Sequence, residues 1–282
     1  MPMTISAEVA IPVKNVTLVY GEPGTRVLMT SVANGMYNYN IPGNQVTGNM
    51  TYYLKAYATT GGEFNTTLYN VPVGNFALQP QSSTLIVYRT LSATSQLLLR
   101  SINNFNAQVQ LSAAGNPSGL SLSFSANPAK AGTAVNLNAS ANATVPVGMY
   151  PVTLTATYIS APTSEVVRRS LITVTVTDFQ LSVAPLSYAG YGGSTVAFTV
   201  TLTLYAGFTH PVNITNISGL PNGASYTLTA TNSTVLSGSP GTTDLALQIK
   251  LPTKTRNGAY PIEILFSGGG ITHSLKIQIT LL

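Results

Sequence analysis

The sequence has no cysteine, no tryptophan, two histidines, and only 7 % charged residues in 282: twelve Lys or Arg and seven Asp or Glu. An ordinary soluble domain is about 25 % charged. Without cysteine there is no disulfide frame, no Cys-ligated zinc or iron–sulfur site and no thiol nucleophile. Two histidines and seven scattered carboxylates leave few metal ligands and few groups for acid–base work. No Asp-x-Asp pair marks a calcium loop. No run of about 18 apolar residues exists that would cross a membrane as a helix. Met1–Val13 lacks a basic start and carries Glu8 inside its apolar stretch, so no secretory signal is read there. The net charge of +5 and the pI near 9.4 reflect scarce acids, not a basic patch. Arg168-Arg169 is the only adjacent pair of cations, and binding a nucleic-acid backbone needs many clustered together.

Hydroxyls and amides stand in place of the charges: 64 Ser or Thr and 22 Asn, beside 44 % hydrophobic residues, ample for a packed core. Carboxylates lose their charge in acid, and a fold that depends on them loses stability as they protonate. Uncharged polar groups are indifferent to acid. The composition therefore predicts a folded protein exposed to an acidic, extracellular medium.

The hydrophobic pattern has period two throughout. Val152–Tyr158 and Leu171–Val176 alternate apolar residues with threonine, as half-buried strands do. Asn34-Gly35, Asn222-Gly223 and Asn257-Gly258 mark turns between such runs. An internal repeat divides the chain. Phe76-Ala-Leu78 recurs 103 residues later as Phe179-Gln-Leu181, and Phe105, Val109 and Leu111 recur at that offset as Phe208, Val212 and Ile214. Gly115-Asn-Pro117-Ser-Gly119 returns as Gly219-Leu-Pro221-Asn-Gly223, and Gly148-Met-Tyr150-Pro151 as Gly258-Ala-Tyr260-Pro261. The offset grows only between Tyr226 and Gly258, which predicts a longer loop there in the second copy. Tyr150 and Tyr260 share parity with buried neighbours, so each ring can close one end of a core while its hydroxyl satisfies a backbone group. That is the logic of a tyrosine corner. Tyr52 is read in the same way.

On these residues, 75–177 and 178–282 resemble the tandem immunoglobulin-like modules of bacterial and archaeal surface proteins. The resemblance rests on Phe179-Gln-Leu181, Gly207-Phe208, Gly219-Leu220-Pro221, Gly258-Ala-Tyr260 and Thr272-His273-Ser274. Residues 1–74, with the tyrosine-rich run Thr51–Gly61, resemble a short fibronectin-III-like module. The fold class expected is all-β, three sandwiches in tandem over 1–74, 75–177 and 178–282. Such modules occur on proteases, glycosidases, adhesins and filaments alike, so they specify fold more than function.

Candidate sites are few. His210 and His273 are the only side-chain bases of their kind, both in the last copy. His273 is read as structural, His210 as solvated, and Asp178 as a linker turn; no catalytic, cofactor or metal set is assembled. N-glycosylation sequons stand at Asn15, Asn49, Asn65, Asn138, Asn142, Asn213, Asn216 and Asn232. The stripe Tyr37, Tyr39, Tyr52, Tyr53, Tyr57 offers a sugar-binding or packing surface. Thr4, Ile5, Ala7, Val9 and Ile11 form either the first strand of the first module or an arm donated to another subunit's sheet.

Taken with the missing catalytic set, the missing signal and the low charge, the resemblance leads to the expectation of a non-enzymatic structural protein outside the cell, without cofactor. Its partners would be copies of itself, a capsid or filament protein, or cell-surface glycans, with neither nucleic acid nor a membrane span. The favoured expectation is an exterior virion component, a spike or turret, of a virus infecting a thermoacidophilic archaeon. The alternatives are a cell-surface filament or adhesin subunit using donor-strand exchange, and a carbohydrate-binding accessory protein.

Overall fold

The computed structural model describes residues 2–46, 49–161, 164–230 and 240–282. Apart from one 3-10 turn, Gly43–Gln45, every regular element described is a strand. The cause is visible in β20 (Thr195–Leu204). Val196, Phe198, Val200, Leu202 and Leu204 are buried, while the intervening threonines and Ala197 face outward. A two-residue period puts every second side chain on one face, and Thr and Val are stiff residues that suit a pleated surface.

The strands make three buried cores. The second core lies between two sheets built from β9 (Asn75–Pro80), β10 (Thr84–Tyr88), β11 (Ser92–Ile102), β12 (Gln108–Ala114), β13 (Leu120–Phe124), β14 (Ala129–Lys130), β15 (Ala134–Ala141), β16 (Gly148–Ala161) and β17 (Ser164–Thr177). One sheet runs β13-β15-β11-β9, the other β10-β17-β16-β12-β14. The third core uses β18 (Phe179–Ala184), β19 (Ser187–Gly190), β20, β21 (Asn213–Ser218), β22 (Ser225–Ala230), β23 (Gly241–Lys250), β24 (Gly258–Gly268) and β25 (Ile271–Leu281). Its sheets run β22-β23-β20-β18 and β19-β25-β24-β21, the same order except that the edge strand β14 has no counterpart among the described residues. In both copies a short strand pairs in parallel with the last one, β10 on β17 and β19 on β25, and the other described pairings are antiparallel. This is an immunoglobulin-like sandwich made twice. The longer loop expected in the second copy falls largely on 231–239, outside the described residues.

The repeated glycine turns have a steric reason. Gly115 has φ +101° and Gly219 φ +80°, and a Cβ on either would lie 2.5 Å and 1.9 Å from the carbonyl oxygens of Pro151 and Pro261 respectively. Backbone crosses backbone there, in a left-handed conformation, and only glycine fits.

The first core differs. Its strands are β1 (Met3–Glu8), β2 (Val13–Tyr20), β3 (Thr25–Leu28), β4 (Thr30–Ala33), β5 (Met36–Ile41), β6 (Met50–Ala58), β7 (Glu63–Asn65) and β8 (Tyr69–Val71). The sheets run β1-β5-β4 and β3-β2-β6-β7, with β8 also on β6. Compared with the repeated sandwich, β1, β5 and β4 stand in the order of β11, β15 and β13, and β2 and β6 in the order of β12 and β16. β1 thus occupies the place of a second strand. Among the described residues no strand covers its other edge, where β9 covers β11 in the next sandwich.

Candidate functional site

The tandem repeat brings titratable side chains together where the second sandwich meets the third. β17 runs without a break into Asp178 and then β18, so the residue between two cores is fixed by both. Asp178, read from the sequence as a linker turn, does stand between the two repeats, but it is 1 % exposed and takes part in packing there. Its Oδ1 accepts the Phe179 N–H at 2.8 Å and lies 2.7 Å from His273 Nε2 on β25. Its Oδ2 lies 3.0 Å from Arg89 Nη1, on the turn between β10 and β11. Arg89 also donates from Nε to the Val145 carbonyl at 3.1 Å and from its backbone N–H to Thr177 O at 2.9 Å. A buried carboxylate is costly unless it is paired and hydrogen-bonded. Here it draws one cation from the second sandwich and one imidazole from the third, so the pairing ties the two sandwiches together.

A second tie is aromatic. Tyr88, at the end of β10, sets its ring edge-on to Phe208 at 5.4 Å and its hydroxyl 2.7 Å from His210 Nδ1. Tyr88 and Leu91, both from the second sandwich, pack against the third core. His210 is therefore engaged with Tyr88, not merely solvated as the sequence suggests.

The two histidines do not meet. Phe179 and Phe208 stand between them, with centroids 5.5 Å apart, His273 4.7 Å from Phe179 and His210 6.5 Å from Phe208. The cavity beside Asp178, about 350 Å³, is bordered by Gln180, Tyr205 and Ser274 as well. Tyr205 donates to Gln180 Oε1 at 2.6 Å, and among the described residues no serine hydroxyl bonds His273. A Ser-His-Asp relay needs that bond. Chemically the cluster is a clamp. Among the described residues no group of three His, Asp or Glu is placed to hold a metal.

The tyrosines predicted as corners separate into two kinds. Tyr150 donates its hydroxyl to Pro146 O and Tyr260 to Arg256 O, each four residues upstream and each at 2.7 Å. Tyr52 does something else: it lies on β6 and stacks on Tyr69, centroids 5.1 Å apart. The reason is that β6 pairs on both sides, and Tyr69 of β8 stands directly opposite Tyr52 in register, so the ring meets its cross-strand neighbour. Of the tyrosine stripe, Tyr37, Tyr39 and Tyr52 pack against the first core. Burial raises the Tyr20 phenol above its ordinary value near 10, with Tyr39 adding to the effect; burial and then Tyr69 do the same to Tyr52. On the same sheet Lys55 Nζ lies 2.5 Å from Glu63 Oε1, and that hydrogen bond holds the lysine above and the carboxyl below their ordinary ranges.

The arm Thr4–Ile11 is not detached. β1 pairs with β5 from Met3–Ile41 to Glu8–Met36, with Ile5 and Ala7 buried in their own core. Thr4 sits on the outer face, Val9 packs against the core, and Ile11 is 47 % exposed. In this structure the segment is the first strand of its own module, the first of the two readings, and withdrawing Ile5 and Ala7 would open a core of few residues.

The sequons are unequal. Asn49, Asn65, Asn142, Asn213 and Asn216 are exposed, whereas Asn15 and Asn138 are half-buried. Asn15 Oδ1 is enclosed without a hydrogen-bond partner, and Asn138 Oδ1 accepts from Thr94. Asn142 Oδ1 caps its own turn, accepting from Thr144 and Val145. Asn232 lies outside the described residues.

No family model matches the chain, and no curated protein matches it in sequence. Among solved structures it is similar to an I-band fragment from titin, at 12 % identity and TM-score 0.36, over 100 % of this chain and 93 % of that one. It is also similar to Drosophila OTK extracellular domains 3–5, at 11 % and 0.28, over 100 % and 92 %. A third is surface layer protein SbsC, domains 4–9, at 14 % and 0.29, covering 98 % of this chain and 40 % of that one.

Proposed function

We propose that the chain is a non-enzymatic structural protein of an extracellular assembly, with modules 1–74, 75–177 and 178–282, and that it serves as an exterior component of a virion. The observation that carries this reading is the clamp at Asp178. A flexible linker would leave two neighbouring sandwiches to move independently. Here a buried carboxylate, an arginine, a histidine and an inserted tyrosine join them, which makes a stiff two-brick unit suited to a spacer or a spike. The low charge supports an exposed position in acid, since hydroxyl and amide surfaces do not titrate. An antibody against the chain, used to label native particles for electron cryo-microscopy, tests the proposal. Label on the outer surface of an ordered particle is expected; label confined to the cell interior overturns it.

One observation favours a cell-surface filament as a second reading. The free edge of β1 presents backbone donors and acceptors along Met3–Glu8, and such an edge accepts a partner strand. In that reading the first module receives a strand from a neighbour instead of donating one. Regular fibres decorated by the same antibody distinguish this from the virion.

A further inference from the structure

Where the first sandwich meets the second there is a cleft of about 580 Å³, within the range of small-molecule sites, ~300–1,000 Å³. Its chemistry contrasts with the clamp at the other junction. Phe105 lines it, half-buried, with one ring face stacked on buried Phe76 at 5.4 Å and Tyr158 set edge-on at 5.0 Å. That packing fixes the ring at the wall of the cleft, where its half-buried remainder borders the open space. Around it stand Asn104, Asn106, the Tyr158 hydroxyl and Glu165, and none of these side-chain polar groups has a protein hydrogen-bond partner among the described residues.

The loop that carries Asn104, Phe105 and Asn106 is anchored, while Tyr158 and Glu165 stand on β16 and β17. Asn103 and Asn104 have φ +51° and +57°, a conformation asparagine tolerates better than most residues. Asn103 Nδ2 donates to Asn49 Oδ1 at 2.7 Å and to Val73 O at 2.8 Å, which anchors the loop to the first sandwich. Arg168, the one cation in the lining, is spent on the protein. It donates to Phe76 O at 3.2 Å, Val167 O at 2.9 Å and Asn75 Oδ1 at 2.8 Å, lying over the Phe76 ring at 5.8 Å. Its fork is therefore not presented to a phosphate, sulfate or carboxylate, and Glu165 disfavours anions further.

We propose that this cleft binds a neutral oligosaccharide. A pyranose has an apolar C–H face that lies against an aromatic ring and a rim of hydroxyls that both donate and accept. The apolar edge of the cleft at Phe105, two amides, a phenol and a carboxylate supply the matching set. The site does not depend on the assembly role: saccharide binding and particle location are read by separate experiments.

The test is NMR titration of the isotope-labelled full chain with a panel of neutral trisaccharides of hexose, N-acetylhexosamine and deoxyhexose, and with sialyllactose as the acidic comparison. Each is taken to about 20 mM, enough to detect a Kd near 1 mM. Expected are shifts in the Asn104 and Asn106 side-chain amides and the Phe105 backbone with at least one neutral sugar. N104G, which suits the positive φ, combined with N106A should weaken that binding about tenfold. The surface variant E263Q should leave it unchanged. No shift with any neutral probe, response to sialyllactose alone, response at Tyr53 and Tyr57 instead, or undiminished binding in N104G/N106A each overturn the proposal. A folded spectrum for N104G/N106A is the control that keeps loss of binding from being loss of fold.

Discussion

Replacing Asp178 with asparagine tests the clamp with little change of shape. The carboxylate takes three contacts, from Arg89 at 3.0 Å, His273 at 2.7 Å and the Phe179 N–H at 2.8 Å. An asparagine oxygen can still accept from Phe179, but its NH2 then faces the Arg89 guanidinium, donor against donor. Breaking one side of a buried ion pair costs ~3–5 kcal/mol. The Arg89 and His273 side chains are 27 % and 36 % exposed, so water screens part of the pairing and about 2–4 kcal/mol is the better expectation. If the second and third sandwiches unfold together, a cooperative unit of this size shifts by about 2–4 °C per kcal/mol. Asp178→Asn should then lower the melting temperature in scanning calorimetry by roughly 5–15 °C. Glu22→Gln, an exposed single-charge change, should shift it by less than about 2 °C. Arg89→Ala combined with Asp178→Asn should cost less than the two separately, with a coupling of about 1–3 kcal/mol. A shift for Asp178→Asn no larger than for Glu22→Gln would refute the reasoning, because the buried charge would then not join the two bodies.

Other consequences follow from local geometry. Gly219→Ala places a Cβ against Pro261 O in a left-handed turn, and should destabilise the third sandwich by at least about 1–3 kcal/mol in urea unfolding; Gly223→Ala, which meets only the Pro252 ring at 3.3 Å, should cost less. Tyr260→Phe removes the bond to Arg256 O and should cost about 0.5–1.5 kcal/mol by the same measurement. Because the Tyr20 and Tyr52 phenols are raised in the folded chain, the unfolded chain loses those protons first as pH rises. Stability of the first sandwich should be whole below pH about 10 and decline above it, followed by alkaline melting with phenolate absorbance. Glu63 has the opposite sign: its contribution is present above the ordinary carboxylate range and is lost as pH falls through its lowered value. Glu63→Gln should therefore flatten the acid limb of the first sandwich's stability profile.

The strands, the two-fold repeat and the corner tyrosines Tyr150 and Tyr260 are legible in the sequence because their causes are local: a two-residue period, a glycine before a proline, a tyrosine in phase with buried neighbours. Tyr52 has the same local pattern and a different role, since what it touches is set by β8, a strand seventeen or more positions downstream that the pattern does not register. His273, read as structural, has a partner 95 residues away in sequence.

Asp178 is the clearest case of the division. As a residue it is one carboxylate between two repeats, and nothing near it in sequence supplies a cation. Arg89 and His273 reach it only once β10 lies along β17 and β25 closes the third sandwich, so the clamp is a product of tertiary closure. The cleft at Phe105 is the same kind of object, made of a turn, a hairpin and a linker that have no common period. Composition and periodicity set what each segment becomes, because side-chain alternation acts within a strand. Which charges and rings then face one another was decided by packing across strands, where sequence separation carries no information about distance.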